Sequence, residues 1–212
     1  MDNFQDYLIR QKTMDYYRYN PPKRRKSTSP TPTSYTKILE PNVSEYVVFD
    51  LETTGMSADK SEIIEIGAVK VWNDEVVEEY SQLIHPEHRI PYFITNLTGI
   101  SNEMVRNEPT AKDVLPKFRD FISDYVLIAH NASFDMRFLQ AKCRQYFVCP
   151  HNDVIDTLYL SRKINKDCEK HTLEYLAKYF GIVNENAHRA LSDALTTHKL
   201  YQIIKQNWFC GN

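Results

Sequence analysis

The sequence has no long apolar run, no paired cysteine framework and no strong excess of either charge. No stretch approaches the roughly 20 consecutive apolar residues of a membrane-spanning helix, and no signal-peptide-like apolar core stands at the N-terminus. These absences leave no membrane association to expect. The four cysteines, Cys143, Cys149, Cys168 and Cys210, include no C-x-x-C pair. Cys149 stands two residues before His151, half of a zinc pattern with no second pair to complete it. The four therefore read as ordinary reduced thiols, and a reducing cytoplasm is the natural address. No internal repeat is present.

What is there suffices for one α/β domain with an appendage: 212 residues, of which 42% are hydrophobic. A net charge of −2 does not suit a protein that binds a DNA groove by bulk electrostatics. The charge is unevenly spread. Residues 1–44 carry 8 Lys/Arg against 4 Asp/Glu, whereas residues 45–212 carry 18 against 24. A negative body repels phosphate unless some of its carboxylates are clustered around divalent cations, whose charge inverts the local field.

Residues 1–44 form a basic, Pro/Ser/Thr-rich extension with the run Lys23-Arg24-Arg25-Lys26, read as flexible. One short amphipathic helix can form ahead of that run, around Phe4, Tyr7, Leu8, Met14 and Tyr17. The folded domain is expected over 45–212. Its pattern predicts strands over 46–53, 63–72 and 76–84, joined by short connections with Asn73 and Asp74 at one turn, hence an antiparallel meander. Thr110 with Asp113 resembles a capping box opening a helix through residue 125. A short buried strand over 126–129, a helix over 134–146 and a strand over 154–157 follow. Helices near 158–163, 173–180 and 190–206 complete the domain, and Ser101 is a candidate cap for a short helix after Gly99. This is an α/β fold: a mixed sheet, antiparallel meander then parallel strands, flanked by helices.

Three acidic motifs carry chemistry. In Asp50-Leu51-Glu52, strand alternation puts both acids on one face, which is costly on a buried strand unless a cation offsets them. Asp135, in His130-Asn131-Ala132-Ser133-Phe134-Asp135, opens a helix at the carboxyl end of an apolar strand, where α/β sheets carry their sites. A helix-start aspartate favoured by the macrodipole is the bland alternative. In His188-Arg189-Ala190-Leu191-Ser192-Asp193, residues five apart lie roughly 140° apart on a helix. His188 and Asp193 can then meet only if Asp193 is helical and His188 stands in the preceding loop. His130 reads as a structural histidine. The spacing of Glu65 and Asp156 does not mark them as ligands, and they are left unassigned.

Taken together, these motifs closely resemble the DnaQ-like, or DEDDh, 3′→5′ exonuclease family. The matching segments are Val48-Phe49-Asp50-Leu51-Glu52-Thr53-Thr54-Gly55, Ala129 through Asp135, and His188 through Asp193. Asn96-Leu97-Thr98-Gly99-Ile100-Ser101 also looks like a family segment. The resemblance implies a ribonuclease-H-like fold and two Mg²⁺ or Mn²⁺ ions held by Asp50, Glu52, Asp135 and Asp193. It further implies His188 as general base, because imidazole titrates near working pH. Thr53, Thr54, Asn131 and Phe134 are implied contacts of the terminal nucleotide, although Phe134 reads nearly as well as a core residue. The implied substrate is a single-stranded 3′ end, DNA favoured and RNA the alternative. Binding would be largely sequence-tolerant. Partners to consider are a DNA polymerase and, through the loose motif Gln5-Asp6-Tyr7-Leu8-Ile9, a sliding clamp. The rival readings are a proofreading subunit acting within a polymerase complex and an inactive nucleic-acid-binding module. No polymerase-binding region is evident after the last predicted helix, which counts against the first. Retention of all four acids and the histidine counts against the second.

Overall fold

In the computed structural model, which describes residues 35–146 and 150–210, six strands build one mixed sheet among the described residues. They are β1 (Lys37–Ile38), β2 (Tyr46–Thr53), β3 (Ile63–Trp72), β4 (Glu75–Leu83), β5 (Val126–Ala129) and β6 (Val154–Asp156), in the spatial order β1-β6-β5-β2-β3-β4. The helices described are α1 (Tyr92–Thr98), α2 (Ala111–Ile122), α3 (Ala132–Tyr146), α4 (Thr157–Ile164), α5 (Leu173–Tyr179) and α6 (Ala190–Cys210). The expected N-terminal helix, the basic run, the clamp-like segment and Cys149 lie outside the described residues.

Strands β2, β3 and β4 form the antiparallel meander, and β5, β6 and β1 continue from β2 in parallel. This is the ribonuclease-H-like arrangement. Asn73 and Asp74 both have positive φ, the geometry of the tight turn that matches strand twist between β3 and β4. Strand β1 comes from the segment ahead of residue 45 and pairs Lys37 with Val154.

Strand alternation divides the core into two layers. Val47, Phe49 and Leu51 point toward α2 and α3, where Phe49 meets Phe118 at a ring-centroid separation of 6.0 Å. Tyr46 and Val48 point the other way, with Val69, Val71, Ile128 and Ile155, beneath residues of α4, α5 and α6. Fully burying side chains of this size contributes about 1.5–3 kcal/mol each. Helix α6 lies directly on β2 and β3. A Cβ at Gly67 would come within 2.0 Å of the Leu191 backbone nitrogen, so only glycine lets the helix approach this closely. Farther along α6, Lys205 Nζ holds the Asp74 carboxylate at 2.8 Å, and Gln202 donates to the Asp74 carbonyl.

Two expectations need correction. The short helix precedes Gly99 rather than following it. Gly99 has φ 73° and returns its N–H to the Thr95 carbonyl, the geometry that ends a helix, while residues 102–107 form turns. Cys168 is a buried free thiol, but Cys143 is disulfide-bonded, which corrects the reading of all four cysteines as reduced. The absence of C-x-x-C could not reveal this, because a disulfide requires only proximity in space. Among the described residues, no helix is long and apolar enough to cross a membrane.

Candidate active site

Asp50 and Glu52 extend the face of β2 that carries Tyr46 and Val48 into the core beneath α6. They stand at the strand's carboxyl end. Asp135 lies in the first turn of α3, just beyond β5, and is buried. Asp193 lies in the first turn of α6 and is also buried. His188 is exposed, in the turn before α6, with φ 63°. Its backbone N–H donates to Asp193 Oδ2 at 3.0 Å, while Asn184 Nδ2 donates to Asp193 Oδ1 at 2.7 Å.

Ligand atoms of Glu52, His188 and Asp193 all lie within 4.8 Å of one another, a candidate metal-binding cluster. Asp50 and Asp135 belong to the same electrostatic neighbourhood. The Asp50 carboxyl is held well above the usual carboxylate range, first by desolvation and then by Asp135, Glu52, Asp193 and Glu65. Burial, followed by Asp193, Glu65 and Asp135, pushes Glu52 up to about 8, with Arg189 pulling the other way. Burial also raises Asp135, against the backbone amides of Asp135 itself and Leu51. Desolvation raises Asp193 too, opposed by its hydrogen bonds from Asn184 and His188. Carboxylates this close cannot all ionise without a counter-charge. An oxygen-rich set without cysteine is the donor chemistry of a hard divalent cation, so the residues fit Mg²⁺ or Mn²⁺.

The pH dependence of stability follows from these shifts. Unfolded, a glutamate titrates near about 4.3, whereas folded Glu52 retains its proton up to about 8. Between those values the folded chain binds more protons than the unfolded chain, so stability falls as pH rises through the window and levels off above it. Metal-free protein is therefore expected to melt at a lower temperature at about pH 8 than at about pH 5. Mn²⁺ is expected to raise the midpoint more at the higher pH. Calorimetric melts in EDTA and in Mn²⁺ check this; a midpoint in EDTA that rises across the window would contradict it.

The two acids left unassigned from sequence both fasten a loop of the site. Glu65 on β3 is almost fully buried, at 1% exposure. It accepts from Arg189 Nε at 3.1 Å to both oxygens, from the second guanidinium nitrogen at 2.7 Å, and from the Ala190 N–H at 2.9 Å. Removing the arginine would leave the buried Glu65 carboxylate without its cationic partner, still accepting the Ala190 N–H, and is expected to destabilise the fold. Asp156 caps α4 through the Leu158 N–H and accepts the Asn131 N–H at 3.1 Å, fixing a turn in which Asn131 has φ 64°. Lys37 Nζ lies 3.5 Å from its other oxygen. The sequence signal for both was an acid in an apolar strand, with partners too distant along the chain to be inferred.

The four nucleotide-contact candidates are placed unequally. The Thr53 hydroxyl donates to the Gly55 carbonyl at 2.7 Å, and Thr54 Oγ1 accepts the Glu62 N–H at 2.9 Å, so both already serve their own loop. Asn131 is exposed at the end of β5. Phe134 is half-buried, 4.9 Å between ring centroids from Phe138, and packs against the core. His130 bridges Thr157 Oγ1 and the His171 carbonyl, a structural tie, and burial lowers its pKa.

Residues 47–201 match the exonuclease family RNase_T. The chain belongs to this family. It is 46% identical over 156 residues to the PolC-type DNA polymerase III of Clostridium perfringens, a match covering 74% of this chain and 11% of that protein. The PolC-type enzyme of Staphylococcus aureus is 41% identical over 157 residues, with the same coverage. The chain thus spans about a tenth of the length of these relatives. Among solved structures, Exonuclease X in complex with 5′ overhanging duplex DNA superposes with a TM-score of 0.63 at 28% identity, covering 76% of this chain and 91% of that one. E. coli Exonuclease I in complex with a dT13 oligonucleotide shares the fold, with a TM-score of 0.68 at 18% identity and coverage of 78% and 42%.

Proposed function

We propose that this chain is a metal-dependent 3′→5′ exonuclease that hydrolyses single-stranded DNA ends to nucleoside 5′-monophosphates. The observation that carries the reading is the gathering of Asp50, Glu52, Asp135, Asp193 and His188 at one end of the sheet. The four acids are the proposed ligands of two divalent cations, Mg²⁺ or Mn²⁺. When bound, such ions lower the pKa of an attacking water and stabilise charge on the leaving 3′-oxygen. Asp50 and Glu52 are fixed by the sheet, and Asp135 and Asp193 by the first turns of α3 and α6, so the cage is pre-organised. His188, exposed on its turn, takes the proton of the water through an imidazole nitrogen. Thr53, Thr54, Asn131 and Phe134 flank the acids in sequence and are the proposed contacts of the terminal nucleotide. A centre that must surround a 3′ end selects ends free of a duplex partner.

Residues 45–212 form the proposed exonuclease domain and 1–44 its basic extension, of which Lys37–Ile38 adds strand β1 to the sheet, and the proposed address is the cytoplasm. The PolC-type relatives favour a second reading, in which the same activity proofreads for a DNA polymerase. A clamp contact through residues 5–9 would belong to that reading. The test is degradation of 5′-labelled single-stranded DNA and RNA of one sequence in Mn²⁺, with polymerase co-purification measured alongside. A ladder shortening from the 3′ end, faster on DNA, is the expected result. Faster RNA trimming would reassign the substrate, and no ladder on either polymer would overturn the free-standing nuclease.

A further inference from the structure

Glu65 does more than hold a buried ion pair. The β2–β3 register places it directly opposite Glu52, and two residues on, Gly67 stands opposite Asp50. Glu65, Gly67, Val69 and Val71 share the face of β3 on which α6 lies, so this strand presents both a fastening and a gap to the start of that helix. The gap is Gly67, where a Cβ would lie 2.1 Å from the Ala190 carbonyl carbon. The fastening is the Glu65 carboxylate, one oxygen of which accepts the N–H of Ala190, the first residue of α6. Arg189 closes on both oxygens from the preceding position.

From Arg189 the chain runs back one residue to His188, and from Ala190 it runs forward three to Asp193. The His188 N–H then returns to Asp193 Oδ2, closing the segment on itself. Glu52 is thus tied through strand pairing to Glu65, and Glu65 is tied to the segment carrying the other two members of the 4.8 Å cluster. Burying a fifth carboxylate beside four others adds repulsion, which Asp50 and Glu52 both register. Stability alone does not favour this choice, because replacing a buried ion pair with apolar side chains is often neutral or stabilising.

We propose that Glu65 is a positioning residue, which with Arg189 holds His188 and Asp193 in register with Glu52. The inference rests on the reading of Asp193 as a metal ligand and His188 as the base. Outer partners that orient a metal-binding segment typically cost about 10–100-fold in affinity or activity when lost.

The experiment compares the wild-type chain with Glu65→Gln and Arg189→Lys. Mn²⁺ affinity is read by titration calorimetry, kcat and KM are measured separately on single-stranded DNA, and folding is followed by circular dichroism. Glu65→Gln keeps the shape and one acceptor oxygen but loses the charge. Its Mn²⁺ affinity and kcat are each expected to fall by about 10–100-fold, with KM little changed. Arg189→Lys keeps the charge with fewer donors and is expected to fall between the two, which keeps the test open should Glu65→Gln not fold. Folded variants with wild-type Mn²⁺ affinity and kcat, and only a lowered melting temperature, would overturn the proposal by showing a purely structural pair. Should the wild-type chain degrade no DNA, the nuclease reading fails, yet the Mn²⁺ titrations still decide whether Glu65 sets the cluster.

Discussion

Asp50→Asn is expected to reduce nucleotide release by more than about 100-fold, above what loss of an outer partner costs, while making the metal-free protein more stable. The two effects have one cause. Asp50 sits on the sheet among Asp135, Glu52 and Asp193, and desolvation together with those charges opposes its ionisation. Its amide analogue keeps the shape and removes the repulsion, so the melting temperature in EDTA should rise at about pH 8. At about pH 5 the neighbouring Glu52 and Asp135, each pushed up to about 8, already hold their protons and the difference should shrink. The same change removes a proposed cation ligand, so the stabilisation by Mn²⁺ expected of the parent should largely disappear. An aspartate with a structural role would behave in the opposite way. A variant that melts lower in EDTA at about pH 8 yet degrades DNA normally would remove Asp50 from the centre.

His188→Ala is expected to lower kcat by about 10²–10⁴-fold, the range a general base contributes, with Mn²⁺ affinity kept near that of the parent. The distinction matters because His188 also belongs to the cluster with Glu52 and Asp193. Its side chain is exposed on a turn with positive φ, free to approach a water and withdraw, whereas the acids are anchored to strand and helix. Titration calorimetry on the variant separates the roles. A large loss of Mn²⁺ affinity would make His188 a ligand, and the base would have to be sought elsewhere.

Much of this arrangement is legible in the sequence because the strands that build it are long and strongly patterned. Strand β2 runs from Tyr46 to Thr53 and β3 from Ile63 to Trp72, as alternation and apolar content predict. The placement of Asp50 and Glu52 on one face follows from the same alternation. The helical period likewise requires His188 to leave the helix that carries Asp193, and α6 begins at Ala190. Other parts left too little signal. Strand β1 has two residues, which cannot establish a period. In α1 the apolar Tyr92, Phe93 and Leu97 are exposed while Ile94 and Thr98 are buried, so the apolar residues do not mark the buried face, and Ser101 suggested a start where Gly99 in fact makes an end. Glu65 was visible as an acid among isoleucines. Its partner Arg189 is 124 residues away, and only the docking of α6 on β3 brings them together.

The acids on β2, α3 and α6 are proposed to form a metal-dependent centre for nucleotide release. Its most direct test is the rate of mononucleotide release from single-stranded DNA as Mn²⁺ is titrated into EDTA-treated protein, with Asp50→Asn prepared in parallel. No release is expected without the ion, with a rate that rises with Mn²⁺ occupancy in the wild-type chain and no comparable rise in the variant. Equal release by both proteins, or release that persists in EDTA, would contradict it.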